Sequence, residues 1–423
     1  MKKKLLIQTP TGIHDVLPDD YFFLQKIENL LEELAIFYGF KRIETPILEF
    51  AQLFFLGVGE TTDIVQKEIF TLKTKGGDLL ALRPEGTAPV VRAYFQHSMQ
   101  NFLQPVKLWY FGPFFRYEKP QLGRYRQFWQ FGFEILGEKS PALDAQIIQI
   151  FFDFFSSLKI KNIILKINSI GDRCCRPYYK KSLSNYLKSK INFLCPDCKR
   201  RAKENPLRVL DCKEEKCQEI VSSAPQILDY LCQECKNHLK SVLEYLEELE
   251  IPYSLEYRLA RGLDYYTRTV FEMFIQEKES LGAVVGGGRY DGLGKLLSKK
   301  ELGGVGGAAG VERIVSILKE KIKPEEKKPN LFLAQIGEKA RKKAFKIIKS
   351  FRDEKIIIRE SIGKDSLKAQ LRQAEKLGAK YTLILGEKEA LEGTIILKDM
   401  TSGQQTKIKL ERIIKELKKI LKK

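Results

Sequence analysis

Phe114-Phe115-Arg116-Tyr117-Glu118-Lys119-Pro120-Gln121-Leu122-Gly123-Arg124-Tyr125-Arg126-Gln127-Phe128-Trp129-Gln130-Phe131-Gly132-Phe133-Glu134 reads as two strand-like runs flanking a Lys-Pro-Gln-Leu-Gly turn. On the return run, period-two alternation places Gln130, Gly132 and Glu134 on one face and Phe131 and Phe133 on the other. Both polar side chains can therefore enter one cleft above an apolar layer. Two polar residues at this spacing would alone fit a solvated outer face. The arginine at the end of the first run, and the segments below, favour the cleft.

A second stretch, Arg261-Gly262-Leu263-Asp264-Tyr265-Tyr266-Thr267-Arg268-Thr269-Val270-Phe271-Glu272, sets an arginine and paired tyrosines against a strand-like run. Arginine offers a planar donor fork suited to phosphate or carboxylate, and tyrosine a rigid apolar wall with a hydroxyl at its tip. Arg261–Tyr266 resembles the first signature of histidyl-tRNA synthetases, and the other class II synthetase motifs follow in order. Tyr38-Gly39-Phe40-Lys41-Arg42-Ile43-Glu44-Thr45-Pro46-Ile47-Leu48-Glu49 resembles motif 1, a helix end running into a strand that proline breaks. Leu82-Arg83-Pro84-Glu85-Gly86-Thr87 is similar to the loop that holds the amino acid's ammonium group, and 114–134 resembles motif 2. Gly286-Gly287-Gly288-Arg289-Tyr290-Asp291-Gly292-Leu293 resembles the second histidine signature, and Gly306-Gly307-Ala308-Ala309-Gly310-Val311-Glu312-Arg313 motif 3.

The resemblance implies an α+β catalytic domain, built on the antiparallel class II synthetase sheet with helices, and a C-terminal α/β anticodon-binding domain. It implies a ligase that activates L-histidine with ATP, accompanied by Mg²⁺, and passes histidine to the 3′ end of tRNA(His). Arg116 and Arg261 would be the catalytic pair, with both these arginines and Arg313 binding ATP. Glu85, Gly86, Thr87 and Gln130 would hold the α-amino end, Glu134 and Tyr266 the imidazole, with Tyr265 lining the pocket. Gln121 and Arg126 would meet the tRNA acceptor end. Lys119 stands where some bacterial members carry arginine, so a bidentate fork is absent there. Motif 1 implies a homodimer. The competing class is a catalytically silent synthetase-like regulatory subunit, such as the one paired with ATP phosphoribosyltransferase; such paralogues typically lack the arginine signature and the anticodon-binding domain.

Other nucleotide folds are disfavoured. The glycines at 57, 59 and 286–288 do not make G-x-G-x-x-G between a strand and a helix, and no G-x-x-x-x-G-K-S/T occurs. The chain has 423 residues, enough for two or three domains. No apolar run approaches the ~18 residues of a membrane span, and Gln8 cuts short the apolar start, so a cytoplasmic protein without membrane association is expected. Lys and Arg exceed Asp and Glu by 73 to 54, a formal +19. Residues 331–423 alone carry 24 basic against 12 acidic residues, an excess that favours a polyanionic partner through counterion release.

All eight cysteines lie between 174 and 235. Cys195-Pro196-Asp197-Cys198 and Cys232-Gln233-Glu234-Cys235 are C-x-x-C pairs separated by 33 residues, the kind of pairing a structural zinc site uses. Cys212 and Cys217 could instead supply ligands. The resemblance does not call for metal, so a structural zinc is not the favoured reading, and Cys174-Cys175 read as packed thiols.

Along the chain, the spacing predicts a helix from Pro18, strands over about 68–137 interrupted by a helix at 87–100, and a helix at 141–158. A cysteine-bearing helical insertion at about 170–250 completes a catalytic domain at 1–320. The charged, proline-bounded stretch 321–329 reads as a linker. Alternating strands and helices over 330–423, ending in a helix from Leu410, then imply the second domain.

Overall fold

The computed structural model describes residues 7–421 except 61, 122, 213, 325–328 and 364. The chain forms two compact units, Met1–Pro324 and Glu325–Lys423. The division falls within the expected linker, of which 325–328 lie outside the described residues; the helix Val311–Lys321 takes up its first residue.

The hairpin legible in the sequence is the centre of the first unit. Val106–Phe115 and Gln127–Leu136 pair antiparallel along their whole length, setting Tyr110 opposite Gly132 and Leu108 opposite Glu134. Around them runs an eight-stranded sheet in the order Lys41–Arg42, Val106–Phe115, Gln127–Leu136, Gly304–Gly310, Val285–Arg289, Thr267–Ile275, Ile163–Ser169, Tyr253–Leu255. Inner neighbours are antiparallel, as expected, whereas both edge strands pair parallel to their neighbours. Each edge strand is reached by a helical connection rather than a tight turn, which frees its direction.

Alternation divides this sheet into two chemically different faces. Phe131 and Phe133 pack beneath it against Phe151 and Phe154 of the helix Ala142–Ser157, with ring centroids 4.8 Å apart for Phe131 and Phe154. Pro18–Tyr38 and Val311–Lys321 add Phe23, Ile27, Leu31, Ile314 and Leu318 to the same core. Each of these phenylalanines is essentially fully buried, contributing roughly 1.5–3 kcal/mol. The opposite face carries Tyr110, Tyr265, Tyr266 and Tyr290, which pack among residues of the cysteine-bearing segment.

At the centre of the sheet two strands meet glycine to glycine. Gly287 lies opposite Gly307, and a Cβ at Gly287 would strike the Gly306 carbonyl. Side chains here would hold the two strands apart.

Pro46 does break the motif 1 strand, and the break has a structural use. Lys41–Arg42 joins the large sheet, while Leu48–Phe50 joins a separate three-stranded sheet with Leu79–Leu82 and Thr71–Lys73. Residues 170–250 are mainly helical, with helices at Arg176–Ser189, Pro196–Glu204, Glu215–Ser222 and Gln233–Glu248. Among the described residues, no helix is long and apolar enough to cross a membrane.

The second unit is a five-stranded mixed sheet ordered Ile358–Glu360, Leu331–Gln335, Tyr381–Leu385, Thr394–Asp399, Gln405–Lys409. The first three strands are parallel, with helices Glu338–Asp353 and Leu367–Lys376 in the crossovers. The helix Glu387–Glu392 and the last strand have no counterpart in the sequence reading. That strand is exposed except for Ile408 and is mostly Gln, Thr and Lys, which hides its alternation.

Candidate active site

The polar face of the hairpin opens on a cleft of about 1230 Å³, lined by Arg116, Gln130, Arg261, Glu272 and Arg313, among others. Three separated sequence motifs thus converge there, and Gly286 of the second histidine signature makes a fourth. Arg116 leaves the end of the first hairpin strand, where its Nε donates to the Pro84 carbonyl at 2.9 Å and its guanidinium lies 5.4 Å from the Phe128 ring centre. Arg261 pairs with the Glu272 carboxylate. Burial opposes its charge, but Glu272 and the neighbouring tyrosines more than offset that, so its pKa is raised and it stays a cation. A methyl group on Gly286 would occupy the place of its guanidinium. Arg313 donates to the Ala283 carbonyl, and its pKa is lowered by burial and by the nearby Arg124 and Arg116. The cleft thus brings half-buried arginines together with carboxylates such as Glu118, Glu272 and Glu312.

Beside the cleft lies a closed network of acids and hydroxyls. Glu85 is buried, and its carboxylate accepts from the Thr87 and Ala88 amides at 2.8 and 2.9 Å, satisfying the first turn of the helix Thr87–Gln96. The Tyr265 hydroxyl also donates to Glu85, at 3.2 Å. Thr87 Oγ1 donates to Glu134 at 2.7 Å, and the Tyr290 hydroxyl donates to the other Glu134 oxygen at 2.5 Å. Burial pushes the Glu134 carboxyl up to about 8, against the pull of those two donors. Room for it comes from Gly306, its neighbour on the adjoining strand, where a Cβ would collide with the carboxylate. Tyr265 and Tyr266 stack at a tilt with centroids 4.7 Å apart, and Arg261 lies 5.8 Å from the Tyr266 ring centre. Gly86 is packed against Tyr110, whose ring leaves no space for a Cβ.

Among the described residues, three polar atoms of this region are buried with no hydrogen-bond partner: Tyr110 Oη, Gln130 Oε1 and Arg261 Nε. An orphaned buried donor or acceptor costs about 1–3 kcal/mol. Such atoms occur elsewhere among the described residues too, and what distinguishes these three is their place beside the cleft's arginines and the buried acids.

Tyr110 and Tyr290 were not singled out by the sequence reading as binding residues. Tyr290 lies inside the second signature, and Tyr110 follows from register, since it faces Gly132 across the hairpin. The turn residues are differently placed. Gln121 is exposed, in a bridge with Arg124. Arg126 is committed within the protein: it donates to the Glu118 and Thr11 carbonyls at 3.3 and 3.4 Å and lies 3.7 Å over the Tyr117 ring.

The cysteine expectation needs correction. Cys195, Cys198, Cys232 and Cys235 do not form one group. Cys195 and Cys198 meet Cys212 and Cys217, whereas Cys232 and Cys235 meet Cys175 and Asp172. Each C-x-x-C opens a different helix, Pro196–Glu204 or Gln233–Glu248, and the sequence gap says nothing about which distant cysteine folds back to it. All eight cysteines are unpaired by disulfides.

Comparison with known proteins gives consistent matches along the chain. A family model described as histidyl-tRNA synthetase matches residues 12–314, and one described as an anticodon binding domain matches 329–420. A protein of Acetivibrio thermocellus named histidine–tRNA ligase is 44% identical over 98% of this chain and 100% of its own length. One of the same name from Syntrophotalea carbinolica is 46% identical over 95% of this chain and 96% of its own. Among solved structures, apo histidyl-tRNA synthetase of S. aureus superposes with a TM-score of 0.79 at 36% identity, covering 97% of this chain and 99% of that one.

Proposed function

Because the chain belongs to the histidyl-tRNA synthetase family and joins histidine to tRNA(His), we propose that the arginine cleft and its buried acid network are where histidine is adenylated. The three orphaned polar atoms at Tyr110, Gln130 and Arg261 carry this reading, since a polar substrate would satisfy what the fold leaves unpaired.

Two steps need no protein nucleophile. The histidine carboxylate attacks the α-phosphate of ATP, releasing pyrophosphate, and the terminal tRNA hydroxyl then attacks the acyl carbon and displaces AMP. Rate in the first step comes from alignment and charge stabilisation. Arg116 and Arg261 flank the α-phosphate, and Arg313 takes the nucleotide. Mg²⁺ bound with ATP would supply charge screening for its phosphates. Among the described residues, the clusters able to hold an ion are built on cysteine, not on a carboxylate cage in the cleft.

Specificity falls to the buried network. Histidine presents a donor and an acceptor on one flat ring, and Glu134 and Tyr266 answer them; an apolar competitor would leave both unpaired. Glu85, Thr87 and Gln130 receive the α-ammonium group beside Gly86, with Tyr265 closing the wall. Gln121 meets the acceptor end, and Arg126, through its carbonyl bonds, sets the height of that turn. The unit at Met1–Pro324 carries this chemistry, with residues 170–250 as an insertion over it, and Glu325–Lys423 reads the anticodon. The protein works in the cytoplasm as a homodimer through the motif 1 region, where Ile36, Phe37, Leu48 and Phe50 stand exposed. Activity of a monomer at assay concentration would contradict that assembly.

Arg261→Lys tests the catalytic reading. Lysine keeps the charge and loses the fork, so histidine-dependent pyrophosphate exchange should fall by about 100-fold or more. Unchanged exchange would remove Arg261 from the chemistry.

A further inference from the structure

We propose that Cys195, Cys198, Cys212 and Cys217 hold one zinc ion as a structural four-thiolate site. Their sulfurs lie within 4.8 Å of one another and all four residues are buried. The Cys195 and Cys212 sulfurs are 3.9 Å apart. A tetrahedral ion with Zn–S bonds of about 2.3 Å sets its ligand sulfurs roughly 3.8 Å apart, whereas a disulfide needs about 2 Å.

Backbone amides point at the sulfurs of the cluster. Cys195 caps the helix Pro196–Glu204, its Sγ accepting from the Cys198 amide at 3.4 Å, and Cys217 Sγ accepts from the Cys195 amide at 3.3 Å. Amide donors aimed at sulfur are contacts of the kind that orient the ligands of a metal site.

The segment also needs a staple. Its helices Pro196–Glu204 and Glu215–Ser222 span 9 and 8 residues, too short to stand without tertiary support. A four-point crosslink joins both to the intervening chain at Cys212. What this holds in place is a wall of the cleft, since Cys195, Leu210 and Cys212 line it. From the same segment Arg201 binds Asp63 at 2.7 Å, and Asn205 donates to Asp264 at 3.0 Å, just ahead of Tyr265. Zinc here would fix the insertion against the loop that carries the substrate tyrosines.

The group at Asp172, Cys175, Cys232 and Cys235 lies outside the proposal. Its carboxylate already accepts from Arg268 at 3.3 Å, and Cys232 is half-buried.

The test is metal counting on untagged full-length protein, purified under reducing conditions without chelator, alongside Cys212→Ser/Cys217→Ser. The double variant should contain about one zinc per chain less than the parent. Titrating the parent with a mercurial reagent should release that zinc as thiols react, and protease should then cut within 195–222. Less than about 0.1 zinc per chain in the parent would overturn the site. So would equal zinc in parent and variant, iron in its place, or release without new cleavage. None of these readouts involves histidine, so they stand apart from the adenylation assay.

Discussion

Replacing Glu134 by glutamine separates the cost of a buried acid from its use. Glu134 is fully buried, bonded to Thr87 and Tyr290, and pushed up to about 8 by burial. Glutamine is close in shape to the protonated acid and can keep both contacts. The folded value lies above the ordinary one, so the folded protein retains a proton that the unfolded chain has released. The group's contribution to stability is complete below about pH 4.5 and is lost as pH rises through about 8, in all at most about 5 kcal/mol. Glu134→Gln should lack this pH dependence, unfolding about as easily as the parent at pH 5 and less easily than the parent at pH 8. Activity should move the other way. A charge-assisted bond to an imidazole N–H is worth about 1.5–3 kcal/mol, so kcat/KM for histidine should drop roughly 10- to 150-fold. Pyrophosphate exchange at varied histidine, with thermal unfolding at both pH values, reads both effects. Exchange within about threefold of the parent would refute the imidazole role, and an unchanged pH dependence of stability would refute the buried-acid argument.

Other substitutions probe the supports of the same site. Gly286→Ala places a methyl where the Arg261 guanidinium lies, and should cut exchange by about 100-fold while Tm stays within about 3 °C; normal exchange would show that Arg261 can work from elsewhere. Tyr290→Phe removes one of the two donors to Glu134, and should raise the histidine KM about tenfold with a smaller effect on kcat; an equal fall in kcat would place Tyr290 in the chemistry instead. Asp144→Asn strips the carboxylate shared by buried Arg289 and by His238, at 3.3 Å from the latter, and should cost about 3 kcal/mol in urea unfolding. A change below about 1 kcal/mol would show that Arg289 finds other acceptors.

What could be read from the chain follows from the range of the interactions concerned. The hairpin at 106–136 was legible because alternation and a Pro-Gly turn are local signals, and they set Gln130 and Glu134 on the correct face. The helices at 18–38 and 142–157 announced themselves through apolar spacing. Tyr110 escaped because its role arises only when register sets it opposite Gly132. The four-cysteine grouping was open in the sequence, which offered Cys212 and Cys217 only as an alternative to Cys232 and Cys235; the packing of two short helices selects them. The last strand, Gln405–Lys409, was missed because an exposed edge strand has no apolar face to show. Gly306 illustrates the limit: the sequence marks a glycine-rich strand, and the structure gives the reason at that position, the Glu134 carboxylate against it.

The most direct measurement is exchange of labelled pyrophosphate into ATP by the purified chain, run with histidine and separately with each other amino acid. Exchange with histidine alone is the predicted result. No exchange in folded protein that still binds histidine, or equal exchange with a second amino acid, would contradict the assignment of adenylation and specificity to this pocket.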